Sequence, residues 1–297
     1  MRVNPNIIPD LLNDLWNVQT QEQTATEQVA TGRRVNMPSD DPAAAAADVE
    51  NQAAQSETDQ YLQNTSSLEG LFQTADSTLS SVVTSLNQAI SLGVEGGSSD
   101  LSPSDLQALA QQVQGIQTQV ISLANVSYEG NYIFAGTATT TKPFTLDATQ
   151  PSGVLYNGNS GTNSTEIAED RTIQVNLPGS QIFLGASGSV LGSLQQLVTA
   201  LQSGDTTDIA NATTQVSSAL GYLSEQRVFY GNGMNQLDAN QTFLQQENVN
   251  LQTQENSLVG ANMAQAATNL SQAQTAYSAA LAAIAKVVPE SLLDYLK

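Results

Sequence analysis

The chain has 297 residues, of which 5% are aromatic and 12% charged, with eight Lys or Arg against 28 Asp or Glu, a net charge of −20 and neither Cys nor His. That balance argues against nucleic-acid binding and against anionic membrane surfaces, both of which call for clustered cations. It also removes thiolate and imidazole chemistry, the usual zinc sites and disulfides.

Trp16 is the only tryptophan. Apolar packing therefore rests on Leu, Ile, Val and Ala, which suits helix bundles better than a thick core. Residues 35–141 contain no Lys or Arg and twelve Asp or Glu. Such acidity keeps the chain soluble and self-repelling before it assembles. The N-terminus lacks a continuous apolar stretch of signal-peptide type, and no 18-residue apolar run exists. A protein of this kind working outside the cell is expected to leave without a cleaved signal.

The first predicted element is a helix with alternating three- and four-residue spacing. Ile8, Leu11, Leu15, Val18, Glu22, Ala25 and Val29 follow that spacing, and only Glu22 is polar. At Ser39-Asp40-Asp41-Pro42 a second helix is predicted to begin, with Asp41 as its cap, Pro42 at its first position and Ala43 to Ala47 propagating it. Adjacent carboxylates at a helix entry point in different directions, and no other group completes an acid–base site. No catalytic, cofactor or metal residue is assigned anywhere in the chain.

Two further seams follow, Leu68, Phe72, Ala75, Leu79, Val82, Leu86, Ala89 and then Leu106, Leu109, Val113, Ile116, Val120, Leu123. The Gly-rich turn of residues 93–103 between them predicts antiparallel neighbours.

Residues 130–192 hold nine of the twenty glycines and lose the helical period. Short β-type runs are expected at 132–134, 144–146, 154–156, 172–177 and 182–184, forming a small inserted β domain that the helices do not need in order to fold. A short helix at 194–201 comes next.

The following helix repeats Ile209, Val216, Leu223, Tyr230, Leu237, Leu244, Leu251 and Leu258 every seven residues, and Gly231-Asn232-Gly233 is expected to break or bend it. The last helix carries Met263, Ala266, Leu270, Ala273, Tyr277, Ala280, Ile284 and Val287, all apolar.

The predicted fold is mainly α, a long antiparallel coiled-coil rod pairing the N- and C-terminal helices, with the small β domain inserted. Its expected division is 1–40 with 260–297 as a terminal assembly domain, 41–135 with 190–259 as a helical rod, and 136–189 as the insert. The terminal seam is the candidate assembly surface: Ile8, Leu11, Leu15, Val18, Met263, Leu270, Tyr277, Ile284 and Val287. Its few large side chains return little against the backbone entropy of ordering both ends. Burial between copies is expected to supply the remainder.

Three stretches carry a family likeness. Residues 30–42, with Gly32, Arg33, Asn36, Ser39, Asp40, Asp41 and Pro42, resemble the N-terminal motif of the flagellin superfamily, and Pro42 is more like its hook-associated branch. Residues 131–137, with Phe134 and Gly136, are similar to that branch's entry into its middle domain. Residues 291–296, with Leu293, Asp294 and Leu296, resemble its C-terminal end. Residues 227–237 look like a family helix motif, although Gly231 and Gly233 depart from it.

The resemblance implies a structural, non-enzymatic part of the bacterial flagellum. It implies a homo-oligomeric ring joining a hook-side junction protein to the flagellin filament, without cofactors. It also implies export unfolded through the flagellar type III apparatus, attended by an export chaperone. The alternatives are a flagellin, or a surface adhesin on a helical stalk.

Overall fold

In this computed structural model the described residues are 7–98, 100–185 and 188–295, with side chains described for 9–98, 100–185 and 188–286. In chain order the elements are α1 (Ile7–Thr31), α2 (Pro42–Gly96), α3 (Pro103–Ala124), β1 (Ser127–Tyr128), β2 (Asn131–Tyr132), β3 (Phe144–Leu146), β4 (Val154–Tyr156), β5 (Ser164–Ala168), β6 (Arg171–Gln174), α4 (Gly179–Leu184), α5 (Val190–Ser203), α6 (Thr206–Val259) and α7 (Met263–Tyr295). The strands pair only as antiparallel hairpins, β1 with β2, β3 with β4 and β5 with β6. The fold is mainly α with a small strand-containing insert, as the periodicity predicts. The chain divides into two compact units, a central one of Asp59–Gln245 and a terminal one holding the residues up to Thr58 and from Gln246.

In the central unit, the predicted seams of α2 and α3 lie in one apolar core with α5 and α6. Helix α3 starts on a capping box, Ser102 Oγ accepting from Asp105 N and the Asp105 carboxylate accepting from Ser102 N. Helix α5 starts on Ser189, whose hydroxyl accepts from Gly192 N, and ends on left-handed Gly204.

The structure corrects the expectation at Gly231-Asn232-Gly233, because α6 runs through it without interruption. A Cβ on Gly233 would lie 2.1 Å from Phe72 Cε2, whereas one on Gly231 would meet nothing within 4 Å. Gly233 is therefore the notch into which the Phe72 ring packs on the α6 backbone. Phe72 also stands edge-on to Tyr230, with ring centroids 5.6 Å apart. Burial pushes the Tyr230 phenol well above its ordinary pKa.

The β segment differs from expectation in three ways. Strand pairing begins earlier, at Ser127, and includes β5, which the sequence reading missed. Residues 182–184 form helix α4 rather than a strand. A strand would point Ile182 and Phe183 to opposite faces, but both are fully buried, which a helical turn achieves when both neighbours face one core.

Nor is the segment separable from the helices. Phe134, Phe144, Ile167, Ile173 and Phe183 belong to the helical core cluster. Asn125, the C-cap of α3, grips β3 at both of its polar atoms: Nδ2 donates to Phe144 O at 2.9 Å and Oδ1 accepts from Phe144 N at 2.8 Å. Buried Asn240 of α6 donates to Ile167 O at 2.7 Å and to Thr65 Oγ1 at 3.2 Å.

Two substitutions test the notch. Gly231→Ala is expected to be neutral or stabilising by up to about 1 kcal/mol, the helix-propensity gain. Gly233→Ala is expected to destabilise by roughly 1–3 kcal/mol through overpacking against Phe72. Thermal melts of the two variants measure the contrast. Replacing 137–184 by a Gly-Ser linker is expected to lower the melting temperature markedly, because α3, α5 and α6 then lose apolar partners.

Candidate functional site

The candidate surface is the terminal unit, built on α1 and α7. The two helices run antiparallel: Thr20, Gln21, Thr24, Ala25 and Gln28 line one groove with Asn269, Gln272, Ala273 and Ala276. Along this pair the seam positions are the covered ones. Ala25, Ala266 and Ala273 are buried, while Leu11, Leu15, Val18, Leu270, Tyr277 and Ile284 are only half-buried. The small residues are thus enclosed and the large ones stay partly in solvent. Beside the seam, Leu12, Trp16 and Leu281 are exposed, Trp16 by 66%. A helix pair that leaves this much apolar surface uncovered has the character of an interaction face.

Met263 departs from its expected seam role, being 47% exposed. It is the first residue of α7, where α1 ends at Thr31. Ile8, Val287, Leu293 and Asp294 have side chains outside the described residues, and Leu296 lies wholly outside them.

The motif of residues 30–42 forms the turn that aims these helices. Gly32 closes α1 in the left-handed region at φ 70°. The chain then pairs with the α6–α7 connection: Arg34 N donates to Val259 O at 2.6 Å and Ala261 N to Gly32 O at 2.9 Å. Helix α7 starts there on Asn262, whose Oδ1 accepts from Ala264 N and Gln265 N.

Within the turn, Thr31 donates to Asn36 Oδ1 and Asn36 Nδ2 donates to Arg33 O. One Asp40 oxygen accepts from both Asn36 N and Met37 N. Ser39 is exposed in the turn. Asp41 Oδ1 accepts from Ala44 N at 3.1 Å, capping α2, with Pro42 as that helix's first residue. The Ala44 amide, then the Arg34 guanidinium, hold the Asp41 carboxyl below its ordinary pKa.

Sequence reasoning missed the ion pairs at the centre of this turn. The Arg33 guanidinium bonds Asp48 of α2 with one nitrogen and Glu255 of α6 with another, the latter at 3.1 Å. Arg34 bonds Asp41 and donates to Leu258 O at 2.9 Å. Asp48 is buried; Gln52 also donates to its Oδ2, while its Oδ1 has no partner among the described residues. A usable signal lay in the spacing Ala44, Asp48, Asn51, Gln55, which puts a charge on the face that α2 buries. Elsewhere, Phe134 is buried edge-on to Phe183, and Gly136, at φ 70°, would drive a Cβ to 2.2 Å from Asn159 O.

Among the described residues no group of Asp and Glu is placed to hold a metal ion, and no helix is long and apolar enough to cross a membrane.

Known proteins resemble the chain in sequence and in fold. Residues 9–139 match the bacterial flagellin N-terminal helical region and residues 209–296 the C-terminal helical region. The chain is 35% identical over 174 residues to flagellar hook-associated protein 3 of Salmonella typhimurium, covering 58% of this chain and 53% of that one, and so spans about half the length of that relative. It is 24% identical over 267 residues to a flagellin of Listeria monocytogenes, covering 89% of this chain and 88% of that one. In fold it resembles a flagellar hook-associated protein structure from Vibrio parahaemolyticus, with a TM-score of 0.68 at 18% identity, over 74% of this chain and all of that one.

The turn predicts two responses. Arg33→Ala is expected to cost roughly 3 kcal/mol, the low end for breaking a buried pair because the guanidinium is partly exposed. Arg33→Met with Asp48→Leu is expected to recover much of that loss, since no buried carboxylate is then left without its cation. Denaturant unfolding of both variants separates the charge effect from lost packing. For Asp41 the folded pKa is depressed. Its stabilisation is therefore complete above the ordinary carboxylate range and is lost as pH falls through the lowered value. Asp41→Asn is expected to flatten that part of the acid limb in a pH series of melts.

Proposed function

The chain belongs to the bacterial flagellin family, and on that premise we propose that it is a structural component of the flagellum, a junction ring between a hook-side junction protein and the flagellin filament. The observation that carries the reading is the terminal helix pair, in which alanines are buried while Leu11, Leu15, Leu270, Tyr277 and Ile284 stay half in solvent. Covering those side chains requires neighbouring helices, and copies of the same chain around a ring supply them.

The assembly domain in this reading is 1–40 with 260–297. The remaining helices, 41–135 with 190–259, serve as its framework, and 136–189 is the insert packed into that framework. The protein works outside the cell, reached by flagellar export, with a chaperone shielding the C-terminal apolar stripe beforehand. The similarity to the hook-associated relative favours the junction over the filament. The longer, more distant flagellin match supports the second reading, a filament subunit.

Assembly separates the two readings. A filament subunit presents complementary surfaces to copies of itself without closure, whereas an adaptor stops after a limited layer. Purified protein added to broken filament seeds is expected to bind without elongating them, and long filaments of this chain alone would overturn the junction reading. Leu270→Asp with Ile284→Asp is expected to leave export intact, while cells build hooks and shed flagellin monomer into the medium. Each change places a carboxylate in an apolar seam.

A further inference from the structure

The chain has two Asn-Gly steps, Asn157-Gly158 and Asn232-Gly233, and the fold treats them oppositely. We propose that Asn157 is a site of spontaneous deamidation and that the Thr145 hydroxyl acts as its brake. In the reaction the Gly158 nitrogen loses its proton and attacks Cγ of Asn157. The new C–N bond closes a cyclic imide, and the Cγ–Nδ2 bond breaks to release ammonia. Water then opens the imide at one carbonyl or the other, leaving aspartate or isoaspartate. Glycine at the second position favours the attack because no Cβ shields its nitrogen or restricts its backbone.

At Asn232 that attack is blocked. The step lies inside α6, where helical hydrogen bonding engages the Gly233 nitrogen; crowding at the glycine Cα is common to both steps, Gly233 meeting Phe72 and Gly158 meeting Tyr156. At Asn157 the strand β4 has just ended and the residue is exposed. Among the described residues the Gly158 N–H donates to no acceptor. One bond restrains the side chain: Asn157 Nδ2 donates to Thr145 Oγ1 at 3.0 Å, across the hairpin from β3. That bond holds the amide toward Thr145.

Conversion has a structural consequence. Aspartate at 157 keeps the contact with its direction reversed, the hydroxyl donating to the carboxylate. Isoaspartate instead adds a methylene to the main chain. The insertion falls between the Asn157 N bond to Pro143 O and the Asn159 N bond to Ala135 O. Asn159 also holds Thr137 N at 2.8 Å and Gly161 N at 3.1 Å through its side chain. Modification is therefore expected to loosen the loop around Gly136.

The test incubates the full-length protein in warm, mildly alkaline buffer and follows both steps by peptide mass mapping, with isoaspartyl methyltransferase marking the isomer. The expected result is conversion at Asn157 several-fold faster than at Asn232, and a further several-fold acceleration at Asn157 alone in Thr145→Ala. Chain unfolded in urea is the reference, in which both steps convert alike. Asn157 staying intact in the folded protein while the unfolded chain converts would overturn the site. Equal rates in wild type and Thr145→Ala would overturn the brake.

Discussion

The Arg33 guanidinium lies between Asp48 of α2 and Glu255 of α6, at the turn where α1 ends and α7 begins. A carboxylate as buried as Asp48 is costly unless a cation and hydrogen bonds compensate it, so the three residues stand or fall together. The same turn carries the backbone pairing of Arg34 with Val259 and of Ala261 with Gly32. It also caps α2 through Asp41 and α7 through Asn262. The compensated charge ties the turn to α2 and α6, while the backbone pairing and the caps set where α1 ends and α7 begins.

The central unit rests on close approach rather than charge. Phe72 seated on Gly233 brings α2 against the α6 backbone, and the bidentate pair of Arg227 with Asp76 lies nearby, both bonds at 3.0 Å. The same helices receive the β segment. Asn125 and Asn240 each satisfy backbone groups of that segment, and its aromatic side chains complete the helical core. A buried amide that bonds main-chain groups fixes position as well as polarity, which is why a run of short, weak hairpins holds a defined place on the helices.

The helical period was legible because each seam is a local repeat of apolar residues, and the first and last helices were paired correctly from that alone. The failures share a different cause. Gly233 looked like a breaker because glycine's intrinsic cost is local, while its use here depends on Phe72, a residue far away in the chain. Ile182 and Phe183 looked like strand residues because their β propensity is real, yet burying both neighbours on one core selected a helical turn. Arg33 was singled out only as part of a motif. Its partner Glu255 is 222 positions away, and no spacing rule reaches that far. The half-covered state of Leu270 and Ile284 also needed the structure, since a seam spacing alone does not say how completely one partner helix covers it.

These features converge on a chain whose terminal helices are aimed by a firm turn and keep large apolar side chains half in solvent. In the proposed role neighbouring copies cover them, in a layer that joins two different assemblies. Immunogold labelling of isolated flagella against the central unit locates that layer. Label is expected in a single narrow band where hook meets filament. Label running along the filament, or absent from flagella altogether, would contradict it.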